Sequence, residues 1–247
     1  MPRDAMQPAI VSDFKAFLER QPLPALSRLE KQRLLDFQTE IDLESGRPSL
    51  DSMKGAWNKL SASYDAVPTL DQRLHVFEKL FLSLAFHGNE DLLSIGCGSG
   101  FYEVFLAKHL NPRGKTLCLD FSRPFLEQAL ALAQREGVAY KMEFLERPAS
   151  RTGLPDHSVD KILCLHSLEY MPDWEAALRE FHRVLRGDAL ARLAVFCNEF
   201  PPTGFSFKAF LVECERLGFK ALESSAVTAS NFLGGQGEIA FLLFKPA

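Results

Sequence analysis

The run Ser94-Ile95-Gly96-Cys97-Gly98-Ser99-Gly100 sets three glycines at every second position, where a strand-like apolar stretch gives way to a helix-like one. Glycine lets a backbone turn tightly and approach a ligand closely. A helix starting just beyond offers free N–H groups and a positive dipole end to a carboxylate or phosphate. The spacing is GxGxG; the dinucleotide fingerprint GxGxxG needs a glycine at 101, where this chain has Phe101. The same glycines could close an ordinary strand-to-helix turn. About twenty residues past them, Asp120 ends the next apolar stretch. A carboxylate there can accept both hydroxyls of a ribose, although an acid ahead of a helix near Arg123 is also favoured by the helix dipole. Phe121 could lie against an adenine face or serve as core volume.

His166 ends the fourth such stretch. An imidazole titrates near neutrality, so His166 is the candidate catalytic residue, a base that positions or deprotonates an acceptor; it could equally only line the pocket. Glu169 and Tyr170 read as helix-start or lining residues. Cys97 has neither a base nor a second thiol beside it and reads as a small filler. The remaining histidines have no metal-ligand spacing, and His157 reads as a surface loop residue, so no metal is expected.

Positioning these residues falls to an alternation of strand-like and helix-like segments. Strands are expected at 91–95, 116–120, 140–145, 161–165 and 190–196, with helices between them. The helix after Asp120 buries Phe125, Leu126, Ala129, Leu130 and Ala133; the one before 190 buries Trp174, Ala177, Leu178, Phe181 and Leu185. Such alternation means parallel strands joined by crossover helices, an α/β doubly wound sheet. After a helix over Phe207–Leu217, strands at 221–227 and 239–244 follow with only a Gly-rich link, which implies antiparallel pairing and a terminal hairpin. Residues 1–65 read as helices alone and 66–247 as the sheet domain. Within the first part, Ser27 and Glu30 form a capping-box signature, and Met53, Ala56, Trp57, Leu60 and Tyr64 share one helical face that must pack on something else. Thr69 and Gln72 form a second capping box, opening a helix that Gly88 is expected to close.

The chain has 247 residues, 47% of them hydrophobic, enough for one globular core and too apolar for disorder. Its net charge of −4 argues against a duplex-wrapping or polybasic membrane-surface protein, so no nucleic acid partner is expected. No apolar run approaches the roughly 18 residues of a membrane span, and Met1 to Pro8 lack a signal-peptide core. The five cysteines fall without CxxC pairs, which reads as reduced thiols in the cytoplasm.

Taken in order, these segments resemble the class I S-adenosylmethionine-dependent methyltransferases that act on small molecules. Leu93 to Gly100 is similar to that family's cofactor-binding loop and Leu119-Asp120-Phe121-Ser122 to its ribose-binding strand end. Leu154 to Leu165 resembles the segment entering the fourth strand, and Ala177 to Leu185 the helix before the fifth. The resemblance covers roughly residues 60–247 and implies a seven-stranded Rossmann-like sheet, an S-adenosyl-L-methionine cofactor and a small apolar or aromatic acceptor. It implies cofactor contacts from Tyr64, Gly96, Cys97, Gly98, Asp120, Phe121, Ala149 and Leu165, with residues 1–65 as a lid and a possible homodimer face. Tyr64 could also be ordinary helix packing. The sequence departs from the family at Ser94, where an acid usually holds the cofactor's amino-acid end, and at Pro148, where an acid often meets the adenine; Glu146 could replace the latter. Phe196, Phe200, Phe205 and Phe207 are expected to wall the acceptor side. The alternatives are an inactive methyltransferase-fold binding or regulatory subunit, a same-fold enzyme using the cofactor for non-methylating chemistry and, weakest, an NAD-dependent oxidoreductase.

Overall fold

Five apolar stretches become the strands β1 (Leu92–Ile95), β2 (Thr116–Asp120), β3 (Met142–Glu146), β4 (Lys161–Leu165) and β5 (Arg192–Asn198), followed by β6 (Lys220–Val227) and β7 (Glu238–Phe244). The structure, a computed structural model, describes residues 3–22, 48–66, 68–188, 191–198, 203–227 and 238–244. The strands lie side by side in the order β3-β2-β1-β4-β5-β7-β6. Strands β1 to β5 are mutually parallel, as the alternation of segments predicts. Strand β7 runs antiparallel to both β5 and β6, and the link between β6 and β7 lies outside the described residues.

The helices are α1 (Arg3–Glu19), α2 (Leu50–Leu60), α3 (Leu70–Leu84), α4 (Phe101–His109), α5 (Arg123–Arg135), α6 (Trp174–Val184) and α7 (Phe207–Arg216). Every residue of β1 and β2 is buried, because helices cover both faces of the parallel part of the sheet. Successive side chains alternate between those faces. Leu92, Cys118 and Leu163 join one core with Phe77 of α3 and Phe105 of α4. Leu93, Ile95, Leu119 and Ile162 join the other with Leu178 and Phe181 of α6.

The N-terminal helices spend their apolar faces inside this body. Phe14 of α1 stacks on Phe77 at 4.1 Å and meets Phe105 edge-on at 4.9 Å. Met53 and Trp57 of α2 enter the opposite core. The helix expected behind Ser27 and Glu30 lies outside the described residues. Helix α3 carries the capping box in full: Gln72 N–H donates to Thr69 Oγ1 at 3.2 Å and Thr69 N–H to Gln72 Oε1 at 2.8 Å. It ends at Leu84, with Ala85 rather than Gly88 taking the left-handed cap (φ 47°). Two further boundaries differ from expectation. Tyr140 sits exposed in a 3-10 turn over Ala139–Lys141, so β3 starts two residues later, and Leu130 stands at the edge of its helical stripe, 37% exposed. All five cysteines are buried and form no disulfide among the described residues. Among the described residues no helix is long and apolar enough to cross a membrane.

Candidate functional site

Strand β1 lies between β2 and β4, so chain connections leave it in opposite directions and a crevice opens beyond the strand ends, the usual ligand position in such sheets. Gly96, Gly98 and Gly100 turn the chain there with φ of 63°, 54° and 79°. A Cβ on Gly96 would sit 2.5 Å from Ser167 Cβ, and one on Gly100 2.9 Å from Ala129 Cβ, so loop and neighbours approach as only glycine allows. Gly96 N–H donates to Leu119 O at 2.8 Å, tying the turn to the end of β2.

Asp120 closes that corner. Its Oδ2 accepts the Gly98 N–H at 3.0 Å and its Oδ1 the Ser122 N–H at 2.9 Å. One carboxylate thus pins the glycine loop and the start of α5 together, so both readings of Asp120 apply to its position: strand-end acid and helix-start acid. Burial pushes its pKa up to about 6, against the pull of the N–H groups of Ser122, Gly98 and Phe121.

All nine residues singled out from the sequence border this one cleft. Gly96, Cys97, Gly98, Asp120 and Phe121 form its floor at the ends of β1 and β2. Ala149 lies beyond β3, Leu165 and His166 at the end of β4, and Tyr64 reaches in from a 3-10 turn over Tyr64–Ala66. Tyr64 also packs edge-on against Trp57 at 5.4 Å and Phe125 at 5.7 Å, so it is both packing and lining. Helix α2 roofs the corner: Ser122 Oγ donates to Asn58 Oδ1 at 2.7 Å, and Lys54 pairs with Glu146 at 2.8 Å. Contrary to expectation a second thiol, that of Cys118, lies beside Cys97; their hydrogen bond and then burial keep the Cys97 thiol well above its ordinary pKa, which suits a filler rather than a nucleophile.

Two expectations are corrected here. Glu146 cannot replace an acid at Pro148, because its carboxylate is spent on Lys54 at the surface, outside the cleft that Pro148 and Ala149 border. The phenylalanine wall is absent from the described residues: Phe196 and Phe205 are 1% exposed and packed into the two cores, Phe207 packs on one of them, and Phe200 lies outside the description. The aromatic lining comes instead from Trp57, Phe101, Tyr102, Phe125 and Tyr170.

His166 holds a left-handed backbone (φ 45°), unusual outside glycine, with its N–H donating to Phe196 O at 2.7 Å. Its Nδ1 stands 3.7 Å from Glu169 Oε1. Glu169 is fully buried behind the cleft and accepts the Asn198 N–H at 3.2 Å. Asp65, which with Tyr64 resembles the family segment that folds over the cofactor, also reaches the cleft, and so do charged residues that sequence reasoning passed over, Arg73 and Glu103 among them. Arg73 Nη2 donates to Asp65 O at 2.7 Å and its guanidinium lies 5.0 Å over the Phe101 ring. Glu103 Oε1 accepts from Ser94 Oγ at 2.6 Å, and burial pushes its pKa up to about 7, with Asp120 adding to the rise and Ser94 and its own N–H opposing it. No local motif marks Arg73 and Glu103, whose surroundings are assembled only by the fold.

Residues 93–192 match the family model described as a methyltransferase domain. The match runs from β1 to the first residue of β5. It is 27% identical over 143 residues to the demethylmenaquinone methyltransferase of Lactiplantibacillus plantarum, covering 57% of this chain and 60% of that protein. It is 25% identical over 155 residues to the enzyme of the same name from Geobacillus kaustophilus, covering 62% and 64%. The chain thus spans less than two thirds of the length of these curated relatives. Among solved structures, this chain superposes on the [4+2]-cyclase SpnF with a TM-score of 0.70 at 15% identity, over 82% of this chain and 98% of that one. An S-adenosylmethionine-dependent methyltransferase from Aquifex aeolicus gives a TM-score of 0.59 at 21% identity, over 73% and 97%. These two establish likeness of fold.

Proposed function

We propose that the chain binds S-adenosylmethionine and transfers its methyl group to a small apolar or aromatic acceptor. The observation that carries this reading is the meeting of the Asp120 carboxylate with the Gly98 N–H at the mouth of the cleft. The residues present fit the cofactor: a tight turn that Gly96 and Gly100 permit by packing against Ser167 and Ala129, which leaves Gly96 and Gly98 lining the cleft, and beside it a buried strand-end acid. The order of strands, with β7 antiparallel at one end, suits the same family reading. In this proposal Asp120 holds the ribose hydroxyls, Phe121 and Ala149 flank the adenine, and Gly96, Cys97 and Gly98 present backbone to the rest, with Leu165 and Tyr64 closing the sides. When bound, the cofactor supplies an electrophilic methyl group on a sulfonium.

The chain's own contribution is positioning and dryness. Trp57, Tyr64, Phe125 and Tyr170 exclude water, which favours an acceptor over hydrolysis, and α2 is the part of the N-terminal segment that acts as the lid. His166 takes the acceptor's proton, oriented by its hydrogen-bonded backbone and by Glu169. The relatives are named for demethylmenaquinone, and an acceptor of that character, a flat ring with an ionisable position, suits this aromatic lining. Buried cysteines without disulfides among the described residues fit a reducing cytoplasm.

Calorimetry with S-adenosylmethionine and with NADH tests the reading: heat with the first only is expected, and Asp120→Asn should weaken that binding at least about tenfold. Absence of binding would favour the regulatory-subunit alternative. Labelled methyl donor incubated with demethylmenaquinone and small phenols should yield labelled product, and His166→Ala should lower turnover far more than cofactor affinity; equal losses would reject the base. The likeness to the [4+2]-cyclase supports one second reading, a same-fold enzyme with other chemistry. Binding without label transfer to any acceptor would favour it.

A further inference from the structure

Position 94 is where the family's acid usually stands, and here it holds serine. Strand periodicity sends Ser94 to the same face as Leu92, the face covered by α4. Helix α4 answers it: Glu103, in its first turn, receives the Ser94 hydroxyl on Oε1 at 2.6 Å. The two residues are 1% and 2% exposed, yet Glu103 is among the residues that line the cleft. Glu103 Oε2 has no hydrogen-bond partner among the described residues, and no described lysine or arginine pairs with the carboxylate. The charge that acts on it is the like charge of Asp120.

A buried carboxylate without a countercharge is costly, and a serine spent on orienting it does not repay the cost. A cation delivered by a ligand would. We propose that Glu103, positioned by Ser94, supplies the carboxylate missing from the strand end and receives the ammonium group of the amino-acid end of the bound ligand. The proposal rests on the reading of the cleft as an S-adenosylmethionine site. It moves the acid nine positions along the chain, from the end of β1 to the first turn of α4, while keeping it on the same face of the sheet. Ser94 becomes a positioning residue, and the departure at 94 is then no sign of a lost site. Asp120 attends to the sugar and Glu103 to the tail, so the two buried acids of this corner have separate tasks.

The test compares two thioether ligands that share the adenosine and differ in the tail: S-adenosylhomocysteine, whose tail ends in an ammonium and a carboxylate, and 5′-methylthioadenosine, which has a methyl group in its place. Equilibrium affinities are measured for the wild type, Glu103→Gln and Ser94→Asp/Glu103→Gln. Glu103→Gln should lose about tenfold or more toward S-adenosylhomocysteine, as expected for one hydrogen bond to a charged group, and bind 5′-methylthioadenosine as the wild type does. Returning the acid to the strand end in the double variant should recover affinity for S-adenosylhomocysteine. Equal losses for both ligands, no loss for either, or a double variant no better than Glu103→Gln would each overturn the assignment of Glu103 while leaving the site reading intact. A wild type that binds neither ligand would overturn the site reading, and this inference with it.

Discussion

Asp120 and Glu103 are carboxyl groups that burial keeps protonated to unusually high pH, about 6 and about 7. Both folded values lie above the ordinary ones of 3.8 and 4.5, so the folded state holds these protons more tightly than the unfolded chain. Their contribution to stability is therefore fully present below about pH 4 and lost as pH rises through 6 and 7. The groups facing Glu103 are Ser94 on β1, Cys97 in the glycine loop, and Cys118 and Asp120 on β2, none of them a cation. At about 1.4 kcal/mol per pKa unit, the two acids together should cost the ligand-free protein a few kcal/mol between pH 5 and pH 8. Thermal melts across that range should show the midpoint falling, with Glu103→Gln flattening the upper part of the curve and Asp120→Asn the lower; a flat wild-type curve would contradict the burial argument. Asp120 was legible because strand end, spacing and glycine turn coincide in the sequence. Glu103 was not, because its meaning depends on Ser94 lying across from it.

At the scale of elements, the glycine loop and the start of α3 are local objects, and their sequence signals carried through. The capping box of Thr69 and Gln72 forms with both hydrogen bonds, so Thr69→Ala should cost about 1 kcal/mol of stability in denaturant melts while ligand affinity stays unchanged. Helix α2 behaves differently, because its place is set by contacts made far along the chain: Asn58 with Ser122, Ser61 with Gln128, Lys54 with Glu146. Asn58→Ala should loosen this roof and speed ligand release in stopped-flow measurements, with a smaller change in overall stability. An unchanged release rate would show that α2 does not gate the cleft. Boundaries were the least legible feature. Ala85 accepts a left-handed cap that glycine was expected to take, at a strain of roughly 1–2 kcal/mol. Tyr140 shows strand-like chemistry but lies in the turn that precedes β3.

Across the whole molecule, α1 is structural ballast for the sheet rather than a loose appendage. Phe14 is fully buried among Phe77, Phe105, Phe17 and Tyr102. Phe14→Ala should destabilise the protein by about 3–5 kcal/mol, read from denaturant unfolding, and a loss under 1 kcal/mol would mean that α1 packs only weakly. The sequence by itself determined the alternation of segments, the parallel core of the sheet, the glycine turn and the strand-end acid, because each follows from spacing within a few residues and from the rule that ligands sit beyond strand ends. The tertiary structure alone decided which aromatics line the cleft, that Glu146 is spent on Lys54, that Glu169 stands behind His166, and that Glu103 meets Ser94. Those pairings are made by helices packing onto opposite faces of the sheet, and burial and charge at a site depend on what is brought near in space, which no short window of sequence contains.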